Sequence, residues 1–159
     1  MPTRPLPHDS YANAVMAALN AEGLLSAADS WTAYDCDNGE VMMMEIVIAL
    51  DPDRARAAGN DHGVTLLWNH TRRGWEYGPA QHGRQLQYVA DLITGAPVAE
   101  PTDIVRAARI LLDPDDNLAA LPIAGTSRPP AQTITPLLQA VLDEGGVEEG
   151  LARDLSAYT

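Results

Sequence analysis

Asn38-Gly39 constrains this chain more than any other pair of residues. Asparagine and glycine both tolerate positive φ, which a type I′ turn requires at its two central positions, and that turn matches the twist of the strands it joins. The flanks fit: Trp31 to Cys36 precedes the pair and the apolar run Val41 to Leu50 follows it. A tight register sets Asp37 opposite Glu40, Cys36 opposite Val41 and Ala33 opposite Met44. Met42, Met44, Ile46, Ile48 and Leu50 then share one apolar face with Trp31 and Ala33, because side chains alternate along a strand.

A second hairpin is predicted from Gly63 to Gly78. Val64, Leu66 and Trp68 alternate with Thr65, Leu67 and Asn69, a loop runs through His70-Thr71-Arg72-Arg73-Gly74, and Trp75 opens the return strand. Before the sheet, Asp9 or Ser10 is expected to cap a helix through Glu22. Tyr11, Val15, Ala18 and Leu19 form its stripe and Gly23 its stop. Asp53 to Asp61 reads as a loop or one short helical turn. A helix is predicted from Pro79 to Thr94, burying Leu86, Val89, Ala90 and Ile93. Another is predicted after a cap at Thr102 or Asp103, burying Ile104, Val105, Ala108, Leu111 and Leu112.

These elements predict an α+β fold: an antiparallel four-stranded sheet of two hairpins, with helices packed on one face. At 159 residues the chain suits one body, placed at residues 1–121. Residues 122–132 hold Pro, Gly, Ser and Arg without apolar periodicity and read as a linker. Residues 133–159 form a helical tail with Leu137, Leu138, Val141 and Leu142, then Val147, Leu151, Leu155 and Tyr158, on its stripe. Such short helices need a surface to dock on, either the body or a partner, so the tail would allow a homodimer.

Charge narrows the partners. The net charge is −12, which argues against free nucleic acid and anionic membrane. Yet residues 54–84 hold five arginines (Arg54, Arg56, Arg72, Arg73, Arg84) against Asp61 and Glu76. That segment therefore carries +3, and the remainder −15. His62, His70 and His82 fall inside it too. At its hairpin tip, His70, Arg72 and Arg73 lie between Trp68 and Trp75, with Arg84 further along. Guanidinium forks beside aromatic faces suit a carboxylate or phosphate and a stacked ring. His70, Arg72, Arg73, Trp75 and Arg84 are the candidate ligand- or partner-binding residues; the alternative is a solvated loop whose tryptophans belong to the core.

Other chemistries find less support. Cys36 is the sole cysteine, flanked by Asp35 and Asp37, whose charges oppose a thiolate. Asp35 to Gly39 and Asp113 to Asn117 have alternating oxygens but lack a glutamate at the twelfth calcium-loop position. His62, His70 and His82 match no metal-ligand spacing. No serine lies in a nucleophile elbow, and a chain without lysine has no phosphate loop of the usual kind. No catalytic residue, metal or cofactor is assigned. Met1 to His8 holds three prolines and no apolar run, so the expected compartment is the cytoplasm.

All ten basic residues are arginine and alanine occurs 25 times, as GC-rich codons would produce. Tyr11-Ala-Asn-Ala-Val-Met-Ala-Ala-Leu, Trp31, Leu66-Leu-Trp68 and Gly74-Trp75 resemble a family of small actinobacterial proteins of unknown function, over roughly residues 11–112. The resemblance implies no activity and no site residue. The reading is a non-enzymatic interaction or regulatory module that binds a protein or charged ligand. The alternatives are an acidic nucleic-acid mimic from a phage or mobile element, and an enzyme with His70 or His82 as general base.

Overall fold

The computed structural model describes residues 6–26, 30–37, 40–71, 74–79, 89–113 and 120–159, with the backbone alone at 31, 33, 35–37 and 40–43. Asn38-Gly39 lies outside them. The strands on either side, β1 (Trp31–Asp37) and β2 (Glu40–Ala49), pair antiparallel as expected, with Asp37 opposite Glu40 and Cys36 opposite Val41. The next pairs depart from the tight register. A bulge makes Asp35 face Met43, so Tyr34 rather than Ala33 lies opposite Met44, and Ala33 faces Glu45. One extra residue in β2, Met42, shifts the partners of Trp31 to Asp35 by one position and so reverses their faces relative to the tight register. The expected grouping of Trp31 and Ala33 with the Met44 face is therefore corrected: Tyr34 and Thr32 hold those places.

On β2 the alternation holds. Met44, Ile46 and Ile48 are fully buried. β3 (Thr65–Asn69) pairs with β2 so that Trp68 meets Ile46 and Leu66 meets Ile48, and β4 (Glu76–Gly78) pairs with β3. The predicted antiparallel four-stranded sheet is thus present, in the order β1-β2-β3-β4. A two-residue strand, β5 (Ala90–Asp91), extends it beyond β4.

That strand corrects the helix expected from Pro79 to Thr94. Residues 80–88 fall outside the described set, but β5 and then β6 (Ile93–Thr94) are extended. The N–H groups of Leu92 and Ile93 both donate to the Trp75 carbonyl, at 2.9 and 3.3 Å. Pairing with the edge of β4 overrides the helical spacing of the apolar residues. Ile93 is buried as expected, whereas Val89 and Ala90 are exposed.

Helix α1 (Asp9–Ala21) buries Tyr11, Ala12, Val15 and Leu19. Its end is the expected glycine closure: Gly23 has φ +68 and the Leu24 N–H returns to the Leu19 carbonyl at 3.0 Å. Its start is not. His8 occupies the cap position, and Asp9 inside the helix accepts from the Leu6 N–H (2.8 Å) and the Thr32 hydroxyl (2.8 Å), tying α1 to β1. The 53–61 stretch does hold one short helix, α2 (Pro52–Ala57), capped by Asp51 through the Arg54 N–H at 3.0 Å.

Helix α3 (Pro101–Leu111) buries the predicted stripe, but neither Thr102 nor Asp103 caps it; Glu100 takes the cap position without a side-chain bond. The buried Asp103 carboxylate accepts instead from the N–H and hydroxyl of Thr126, both at 2.7 Å. The stretch read as a linker is consequently fastened along its length. Ile123–Ala124 forms β7, parallel to β6, and Ser127 bridges to Ala99. Arg128 reaches the Glu100 carboxylate with Nε and Nη2 (3.3 Å each) and the Ala157 carbonyl (3.3 Å). Apolarity alone misses such a segment, because its contacts are polar. We expect Asp103→Ala to lower stability by roughly 1.5–3 kcal/mol, the range for hydrogen bonds to a charged group, read as a shift of the urea midpoint at unchanged slope.

The tail folds as α4 (Pro136–Asp143) and α5 (Glu149–Ser156) and docks on the body of its own chain. Leu138, Val141, Val147, Ala152 and Leu155 join the same core as α1, the sheet and α3. Tyr158 packs edge-on against Tyr11 at 4.8 Å, with the Arg128 guanidinium 4.0 Å over its ring. Burial is the chief cause that pushes the Tyr158 phenol up to about 12. Among the described residues, no helix is long and apolar enough to cross a membrane.

Candidate functional site

The tip of the second hairpin is shaped by its first residues. Asn69 at the end of β3 accepts from the Thr71 N–H (2.9 Å) and the Thr71 hydroxyl (2.8 Å), folding the chain back locally. The His70 N–H donates to the Met44 carbonyl at 3.1 Å, so His70 stays on the edge of the β2 ladder. Its imidazole is half-buried, and its Nδ1 has no hydrogen-bond partner among the described residues. Burial pushes the imidazole below its ordinary value, with the Met44 carbonyl working the other way. A folded-state value below the unfolded one means that acid favours the unfolded chain. We expect the His70 ring to titrate below the usual ~6.5 in an NMR pH series, and its contribution to stability to fall away as pH drops through that range.

On the far side of the tip, Gly74 passes close to β6. A Cβ built there would lie 2.4 Å from the Ile93 carbonyl oxygen, so only glycine fits without movement. Trp75 follows, and the structure corrects the expectation that it offers a stacking face. It is fully buried, and its Nε1–H donates to Tyr11 Oη at 3.0 Å, while the Tyr11 hydroxyl donates to the Ala99 carbonyl at 2.6 Å. Burial raises the Tyr11 phenol far above its ordinary value, the Trp75 bond opposing. Trp68 is also core: its Nε1–H donates to the Pro97 carbonyl at 2.7 Å, and the buried His8 ring stacks 6.2 Å away. The two tryptophans flanking the tip therefore anchor it from inside. Arg72, Arg73, Arg84 and His82 lie outside the described residues.

A separate open cleft of about 300 Å³ lies in the same stretch of chain, lined by residues 59–64, Tyr77 to Pro79 and Leu111. Its histidine is His62, which is exposed; His70 is not among the lining residues. A general base at His70 thus gains nothing from this concavity. The neighbouring helix α2 with its cap carries Asp51, Asp53, Arg54 and Arg56 and is neutral, Arg56 pairing with Asp53 at 3.8 Å. Counted with Asp51 and Asp53, residues 51–84 hold five arginines against four acids and carry +1, and the arginines beyond α2 in that stretch are Arg72, Arg73 and Arg84.

Acid is concentrated elsewhere. Asp143, Glu144, Glu148 and Glu149 are all exposed around the turn between α4 and α5, and Asp113 is exposed beyond α3. Glu149 pairs with Arg153 at 3.2 Å. Asp115 and Asp116 lie outside the described residues. Among those described, no group of three or more His, Cys, Asp or Glu is placed to hold a metal ion.

No known protein family, curated protein or solved structure matches the chain.

Proposed function

We propose that this protein is a non-enzymatic interaction module that binds a protein or another carboxylate- or phosphate-bearing ligand through the tip of its second hairpin. The observation that carries the reading is charge segregation: residues 54–84 carry +3 in a chain of −12, and Arg72, Arg73 and Arg84 are their arginines beyond α2. The inward tryptophans support a modified form of it. Recognition rests on the guanidinium forks and His70 rather than on stacking, with the rings holding the base of the tip in place. The decisive experiment is affinity capture from the native host, comparing the natural protein with the Arg72→Ala/Arg73→Ala variant. Loss of one charge-assisted contact weakens binding about tenfold or more, so the double variant should release its partner at salt concentrations that the natural protein withstands. Unchanged capture removes the tip from the mechanism.

The exposed carboxylates of the α4–α5 turn favour a second reading, in which the acidic body imitates nucleic acid and occupies a DNA- or RNA-binding partner. In that case a variant with Asp143, Glu144, Glu148 and Glu149 neutralised to their amides would lose the partner while the arginine variant kept it.

A further inference from the structure

We draw no further inference here: the strongest candidate, the open cleft between the 59–64 loop, the end of β4 and the C-terminus of α3, adjoins a charge-neutral helix, and nothing in the structure shows what would cover it.

Discussion

Trp75→Ala is expected to destabilise the protein by about 3–5 kcal/mol, the usual range for deleting a buried indole. Such a loss is a large fraction of the roughly 5–15 kcal/mol that keeps a typical domain folded. The ring is fully buried, and its removal also takes the donor from Tyr11 Oη inside the core. Chemical denaturation followed by circular dichroism reads the effect directly. If the ring were instead a platform for a ligand, the same change would weaken binding and leave the unfolding midpoint almost where it was. Arg72→Ala/Arg73→Ala supplies the contrast: under the proposed role in partner binding, each change should alter stability by no more than about 0.5 kcal/mol.

The second large effect is expected one residue earlier. In Gly74→Ala the new methyl group meets the Ile93 carbonyl oxygen at 2.4 Å, with the Ile93 carbonyl carbon at 3.5 Å. Neither side can yield easily. Ile93 is held by its pairing with Ile123, and its N–H donates to the Trp75 carbonyl. Forcing a methylene-sized group into such a contact costs roughly 1–3 kcal/mol. Because the clash sits at the root of the tip, the variant should also alter the amide NMR signals of His70 and Thr71. A midpoint equal to that of the natural protein would show that the strand β6 does not lie where it is placed.

The elements that could be read from sequence are those whose signal is local. Tyr11, Val15 and Leu19 recur on one helix face, Val64, Leu66 and Trp68 alternate along one strand, and Gly23 ends α1 in the left-handed region. What escaped reading depends on partners distant in sequence. Ile93 and Thr94 lie at helical spacing from their apolar neighbours, yet they are drawn into strands by Trp75 and by Ile123. Asp103 has the composition of a cap and serves as a strut, because Thr126 comes within reach. A single extra residue, Met42, is enough to reverse the faces of β1, and no pattern of hydrophobicity marks it. The candidate site divides in the same way. Its charge was visible as a count of arginines, but the direction of Trp75 was not, since tryptophan between polar residues reads equally as a surface or a core side chain.

The contact between Tyr11 and Tyr158 has a consequence for how the chain is made. A ribosome delivers residues in order, and the first helix emerges long before its aromatic neighbour from the far end of the sequence. Until Tyr158 clears the exit tunnel, the Tyr11 side of α1 has no lid and Arg128 no ring to cover. Closure between such remote segments is slow, since the intervening chain must first surrender its freedom. Growing chains in which Tyr158 is still held inside the tunnel should accordingly remain open to protease at α1, and become resistant only once Tyr158 has emerged.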